Sequence, residues 1–256
     1  MRPGYLIVGT KRGGTTSLAA WVYQHPQVAP CRNNKGTHYF DINYWRGPKW
    51  YFSRFEKPRD GWTITGEASP YYMYHPAGAE RIAATLPEVK LIAVLRDPVE
   101  RAWSQYRYEV ARGHETESVE RALELEPERI RGERERLMAD PKYPGMPYRH
   151  NGYLERGHYA EQLERIYAKF PRDQMLVLCS EEMYRDPNGQ LARVWKFLDL
   201  DPMDSLEGTQ ARNANLTSEN VPPAIRELLS EYYRPLNEEL YELTGIDFGW
   251  TNQVST

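Results

Sequence analysis

At 256 residues the chain is long enough for one well-buried α/β domain. Its 33 Lys and Arg against 36 Asp and Glu leave a formal net charge of −3, which excludes a global field that gathers nucleic acid while leaving room for a local basic cleft. Charged residues at 27% and hydrophobic residues at 40% mark a soluble globular class, and no apolar run approaches the roughly 20 residues that a membrane span needs.

Tyr5-Leu6-Ile7-Val8 reads as a strand, and GTKRGGTTSL (Gly9 to Leu18) follows as a glycine-rich turn and the start of a helix. That order aims several backbone N–H groups and the positive end of a helix dipole at one point, which suits a phosphate. The spacing approaches the nucleotide-triphosphate loop G-x-x-x-x-G-K-[ST], with glycines at Gly9 and Gly14. Thr15, however, takes the lysine position, and the cations stand earlier, at Lys11 and Arg12. The loop is therefore expected to hold phosphate without being an ordinary ATP or GTP loop. A strand that begins by Tyr5 leaves no room for a signal peptide. Cys31 and Cys179 lie far apart with no partners at metal spacing, so two reduced thiols in a cytoplasmic protein are expected.

The first helix is predicted from about Thr15 to His25, with Leu18, Ala19 and Val22 as its buried stripe and Pro26 as its stop. Pro30 to Trp62 is aromatic and irregular, with GTHYFD (Gly36 to Asp41) in its middle. Trp62 to Thr65 predicts a short strand, and Gly66 to Pro70 the loop after it. Ala77 to Leu86 predicts a helix. Lys90 to Leu95 is the clearest buried strand. It ends in Arg96-Asp97-Pro98, where Asp97 suits an N-cap, Pro98 the first helical position and Glu100 a capping box. Val99, Ala102, Trp103, Tyr106 and Val110 then share one apolar face. Arg96 thus stands at the carboxyl end of a parallel strand, the edge at which open α/β sheets bind ligands.

Glu115 to Arg136 is dense in Glu and Arg, with Glu117 and Arg121 at helical spacing, and predicts a solvated helix pair over 115–136. Pro141 to Gly152 reads as loop, Tyr159 to Phe170 as helix and Met175 to Leu178 as strand. Asp186-Pro187 opens a helix to about Leu198, and Pro222 to Thr244 forms a last amphipathic helix that Pro235 can break. With no internal repeat, low-complexity tract or long linker, residues 1–256 read as one α/β domain, a central parallel sheet flanked by helices.

The glycine-rich loop and RDPVERAWSQY (Arg96 to Tyr106) stand together with QHPQV at Gln24, THYFD at Thr37, GEASPYY at Gly66, FPRDQMLVLCSEEMYRDP at Phe170 and DFGW at Asp247. In that order, over most of the chain, the sequence resembles the sulfotransferases that use 3′-phosphoadenosine 5′-phosphosulfate (PAPS), nearest the heparan-sulfate type and its bacterial relatives. The resemblance implies a P-loop-like sulfotransferase fold, PAPS as co-substrate, no metal, and sulfuryl transfer to an acceptor hydroxyl or amine. It implies that Lys11, Arg12, Gly13, Gly14, Thr15 and Thr16 hold the 5′-phosphosulfate, and that Arg96 and Ser104 clamp the 3′-phosphate. Arg212, in RNANL, lies where the family closes a basic loop over the donor. His38 and Asp41 fall on the acceptor side. Each residue also has a plainer reading: an ion pair with Asp97 or Glu100 for Arg96, a bond to its own helix backbone for Ser104, and a solvent-exposed side chain for Arg212.

Two positions depart from the family pattern. Arg12 fills the position of the usual lysine. Arginine stabilises an oxyanion but is a poor proton donor, because its pKa exceeds about 12; Lys11 either substitutes for that lysine or points to solvent. Gly36 fills the position of the usual glutamate, two residues before the histidine, and cannot take a proton. His38 becomes the first choice of base, since an unperturbed pKa of about 6.5 suits the task, and its alternative is a histidine that only hydrogen-bonds substrate or backbone. Glu67 is the second choice, and its alternative is a structural carboxylate paired with a cation such as Arg12. Ala68 stands where relatives often carry lysine. Two competing functions stay open, a P-loop small-molecule kinase and a non-catalytic PAPS-binding relative. The slightly acidic balance favours a small-molecule or glycoside acceptor over a long polyanionic glycan.

Overall fold

Every residue of the first strand, β1 (Tyr5–Gly9), is buried, as parallel strands are when helices cover both faces of their sheet. The structure is a computed structural model, and it describes residues 1–32, 36–204, 206, 208 and 220–250. The further strands are β2 (Val28–Ala29), β3 (Ile64–Ala68), β4 (Lys90–Leu95) and β5 (Met175–Cys179), paired in parallel in the order β2-β3-β1-β4-β5. The helices are α1 (Thr15–Val22), α2 (Gly47–Phe52), α3 (Gly78–Thr85), α4 (Pro98–Ala111), α5 (Val119–Arg129), α6 (Glu133–Ala139), α7 (Met146–Asn151), α8 (Tyr159–Tyr167), α9 (Ser180–Arg185), α10 (Pro187–Phe197) and α11 (Pro223–Thr244).

Strand alternation builds two cores. Leu6, Val8, Leu91, Ala93 and Leu95 face Tyr39, Phe40, Tyr51 and Tyr72, with Ile82 of α3 and Leu163 of α8 behind them. Tyr5, Ile7, Ile92 and Val94 face Leu18 and Trp21 of α1 and Leu191 and Trp195 of α10. The chain leaves β1 toward β2 and β3 on one side, then returns to β4 on the other. This reversal at β1 puts the loops after β1, β3 and β4 side by side at the carboxyl edge, where a ligand crevice forms in such sheets.

The expected class, a single α/β domain with a central parallel sheet, is what the chain adopts. Several local expectations need correction. The third strand runs Ile64–Ala68, so Gly66, Glu67 and Ala68 are strand rather than loop. Pairing with β1 (Tyr5 with Gly66, Leu6 with Glu67, Ile7 with Ala68) outweighs the turn propensity of GEASP. Glu100 forms no capping box; Asp97 alone caps α4 through Val99 N–H, while Glu100 pairs with Arg96 and Arg226. The apolar face of α4 stops short of Val110, which is 42% exposed.

The 115–136 segment is helical, yet it is not simply solvated. Glu115, Glu126 and Glu133 are buried, and Arg121 pairs with Glu124 rather than Glu117. Glu126 accepts the backbone N–H groups of Tyr153, Leu154 and Glu155 at 2.7, 2.6 and 2.8 Å, which satisfies a buried carboxyl through backbone donors. Residues 146–151, expected as loop, form α7. Helix α11 runs through Pro235 unbroken. Both cysteines are free and buried.

Candidate active site

The turn between β1 and α1 is shaped by close packing as much as by ligand demands. Thr10 N–H donates to Val94 C=O and Gly13 N–H to Thr10 C=O, both at 3.0 Å. A Cβ on Gly13 would stand 2.4 Å from Val94 O, so no larger residue fits. Gly14 has φ of 100° and caps α1 in the left-handed region, which leaves the first turn with no side-chain cap. Arg12 also has positive φ, 71°. A non-glycine residue held there costs of the order of 1–3 kcal/mol.

Two motifs distant in sequence meet at this turn. Arg12 Nε donates to Ser104 Oγ at 2.9 Å, and Arg96 Nη1 donates to the Arg12 carbonyl at 3.4 Å. Burial, then the nearby Arg96, lowers the pKa of Arg12. A second guanidinium in a half-buried setting is electrostatically costly, and a polyanion would relieve it. Arg96 also pairs with Glu100 at 3.3 Å, so its plainer reading holds alongside its place in the cleft. Ser104, 2% exposed, turns its hydroxyl to Arg12.

Lys11 does not point to solvent. Its ammonium is buried against Glu109 of α4 and lies 3.4 Å from the Arg149 carbonyl. Burial lowers its pKa to about 7, with Arg156 adding to the effect and Glu109 opposing it. The other oxygen of Glu109 meets His114 Nδ1 and His150 Nδ1, each at 2.9 Å. Burial alone would raise the Glu109 pKa, but His150, Lys11 and His114 outweigh it and hold the carboxyl at about 2. Glu109, His114 and His150 bring metal-ligand atoms within 4.8 Å of one another. With Lys11 on the same carboxylate and Arg149 and Arg156 close by, the surroundings favour an anchored anion over a dication. Sequence reasoning missed this trio. Glu109 falls five residues after Ser104 on one helix, but His150 arrives only through tertiary packing.

Residues 36–41 hold a second cluster of polar side chains. His38 Nδ1 meets Asp41 Oδ2 at 2.8 Å, and Asp41 is buried. Burial disfavours the imidazolium, but Asp41, supported by Glu67, outweighs it, so the His38 pKa is raised from its ordinary value. His38 sits at φ of 51°, and its N–H donates to Ser69 Oγ at 3.0 Å. Glu67 accepts from the Thr37 backbone N–H, from Thr37 Oγ1 at 2.7 Å, from Tyr72 OH at 2.7 Å and from Ser69 Oγ at 2.8 Å. It is buried in β3, and burial raises its pKa against those bonds. Its carboxylate therefore holds the 37–38 backbone through hydroxyl and amide donors, where the sequence suggested a base or a partner for Arg12.

Gly36 is sterically required. A Cβ there would lie 2.2 Å from Ala68 O and 2.4 Å from Ser69 Oγ. Gly36→Ala is expected to destabilise the protein by about 1–3 kcal/mol, read as a lowered thermal midpoint; an unchanged midpoint would show that this backbone yields freely.

The structure thus brings Lys11, Arg12, Gly13, Gly14, Thr15, Thr16, Arg96 and Ser104 to one edge of the sheet, with His38 and Asp41 paired beside Glu67. Arg149 acts electrostatically on both Lys11 and His38, which ties the two halves together. Arg212 lies outside the described residues.

A family described as the sulfotransferase domain matches residues 2–220. The chain is 30% identical to heparan sulfate glucosamine 3-O-sulfotransferase 6 of Homo sapiens, over 97% of this chain and 73% of the relative. It is 29% identical to heparan sulfate glucosamine 3-O-sulfotransferase 3B1 of Homo sapiens, over 97% of this chain and 65% of that relative. Among solved structures it is similar to a sulfotransferase from Alicyclobacillus acidocaldarius, at 29% identity, TM-score 0.77 and coverage of 98% and 99% of the two chains.

Proposed function

Because the chain belongs to the sulfotransferase domain family, we propose that it moves a sulfuryl group from PAPS to a hydroxyl or amine of a small-molecule or glycoside acceptor. The observation that carries this reading is the meeting of the two anion motifs: Arg12 on Ser104, and Arg96 on the Arg12 carbonyl. A donor with phosphate at both ends of one nucleoside needs two cationic points on one rim, and a single phosphate does not. The names of the relatives support a glycoside among the acceptors.

The acceptor oxygen attacks sulfur in line with the bridging oxygen of the 5′-phosphosulfate. The new O–S bond forms as the old one breaks, and the electron pair settles on the 5′-phosphate. His38 takes the acceptor proton. With Nδ1–H directed at Asp41, the ring keeps its lone pair on Nε2 for that purpose. Arg12 and the N–H groups at the start of α1 stabilise the oxygen that becomes negative. Arg96 holds the 3′-phosphate. This chemistry asks for positioning and charge, and no step of it draws on a metal.

The chain's setting is proposed as cytoplasmic, in keeping with two unbridged, buried thiols. Among the described residues no helix is long and apolar enough to cross a membrane.

Incubation with sulfur-labelled PAPS and a panel of phenols, glycosides and amines tests the proposal, and a labelled product is expected. Binding of 3′-phosphoadenosine 5′-phosphate (PAP) without any product would point instead to a non-catalytic donor-binding relative. Arg96→Ala is expected to weaken PAP by about 10–100-fold, the worth of a lost charged hydrogen bond, and to leave the 3′-dephosphorylated analogue nearly unchanged. Equal loss for both ligands in calorimetric titration would remove Arg96 from the 3′-phosphate site.

A further inference from the structure

We propose that Glu109, gripped by His114 and His150, is a positioning residue that keeps the Lys11 ammonium charged and in place beside the donor loop, where Lys11 neutralises the oxygen leaving from sulfur. The inference rests on the transfer reading above and assigns a task to a buried cluster that reading does not use.

Lys11 and Arg12 are neighbours in the chain, yet their side chains part. Arg12 goes to Ser104, and Lys11 goes to Glu109. Both cations lie over the ring of Tyr108, at 5.0 Å for Arg12 and 5.7 Å for Lys11. The charged groups around Lys11 come from every element that packs on it: Arg12 from its own loop, Glu109 and Tyr108 from α4, His114 after α4, Arg149 and His150 from α7, and Arg156 beyond α7. Among the described residues Glu109 is the carboxylate that pairs with Lys11, and it is 0% exposed. Two imidazoles on its second oxygen prevent it from turning away from Lys11. A buried lysine amid arginines sheds its proton easily, and a fixed carboxylate is what opposes that loss.

The task matches a gap in the chemistry. Arg12 stands where the family carries lysine, and its guanidinium is spent in part on Ser104. As the S–O bond breaks, the electron pair lands on the 5′-phosphate oxygen and the acceptor proton goes to His38. Lys11 keeps its own proton and contributes an N–H hydrogen bond and a full charge to that oxygen. Nothing is oxidised or reduced.

Transfer then requires Lys11 charged, so kcat/KM falls as pH rises through the Lys11 pKa. Glu109 opposes the lowering of that pKa, so Glu109→Gln moves the alkaline limb to lower pH. In the profile of kcat/KM with labelled PAPS, Glu109→Gln is expected to move the limb by about one pH unit, with about a tenfold loss above it. Lys11→Ala removes the limb, and adding Glu109→Gln to Lys11→Ala costs no more than about twofold further. His150→Gln and His114→Gln shift the limb in the same direction by less, which keeps the test open if Glu109→Gln does not fold.

A folded Glu109→Gln protein with an unmoved alkaline limb overturns the proposal, as does an equal loss in the Lys11→Ala background. The pH dependence of PAP affinity separates the two readings. If PAP binds but no acceptor is ever labelled, transfer is wrong; the Lys11–Glu109 unit still stands if the alkaline fall in PAP affinity moves to lower pH in Glu109→Gln, and fails if it does not.

Discussion

His38→Ala is expected to lower kcat by about 10²–10⁴-fold, the usual worth of a general base, and to leave PAP affinity nearly unchanged. The reason lies in the pairing with Asp41 at 2.8 Å, which fixes the tautomer and stabilises the imidazolium formed on proton uptake. His38 also has a left-handed backbone, φ 51°, so alanine strains the loop as well as removing the ring. His38→Asn separates the two effects, because asparagine tolerates that conformation. It is expected to fold like the parent and to lose as much activity as alanine. An asparagine variant that retains most of the rate would move the base elsewhere.

The pH profile carries the same signature. Burial works against the imidazolium, and Asp41 with Glu67 outweighs it, so the His38 pKa lies above its ordinary value. A base must be neutral, so kcat/KM falls as pH drops through that raised pKa. Asp41→Asn removes the charge and moves the acid limb to lower pH. Stability follows the opposite course. The charged His38–Asp41 pair stabilises the fold fully below the unfolded-state pKa of His, and that contribution fades as pH rises through the raised folded value.

Arg12→Ala is the second large effect, a loss of about 10²–10³ in kcat, the range for removing one preorganised donor at a developing oxyanion. Single-turnover measurement isolates this step from product release. Arg12→Lys restores the residue type usual in the family and is expected to recover at least about tenfold of that loss. It gives up the planar donor that reaches Ser104 at 2.9 Å, so that link between the β1–α1 turn and α4 is lost while the Lys11–Glu109 pair stays. Arg12→Ala with an intact single-turnover rate would place the oxyanion stabiliser on Lys11 and the α1 N–H groups alone. Gly36→Glu, in contrast, is expected to restore nothing, because the crowding against Ala68 and Ser69 keeps any side chain from fitting.

Local signals carried much of this reading. Strand β4, the Asp97 cap and the positions of α1, α8, α10 and α11 were legible because hydrophobic period, capping residues and Pro or Gly stops act within a few residues of one another. The glycine-rich turn between β1 and α1 was legible because it is a local structure: glycines, a helix start and nearby cations. The segment around Glu67 was misread as loop for a physical reason. That segment looks like a turn, and only pairing with β1 and two donors from distant Thr37, added to the nearby hydroxyls of Ser69 and Tyr72, make Glu67 a buried strand carboxylate. The acidic run after residue 115 was misread likewise, since a solvated glutamate and one that caps three buried amides, such as Glu126, look alike in sequence.

By itself, then, the chain's order of residues determined the α/β class, the parallel strands and the glycine-rich and Arg96–Tyr106 motifs at their carboxyl ends, since each arises from contacts between near neighbours. Only the tertiary structure decided that Arg12 joins those motifs, that Gly36 leaves no space for a carboxylate, and that Lys11 rests on Glu109, His114 and His150. Those outcomes depend on which groups folding brings within a few ångströms, and on the burial that makes their charges matter.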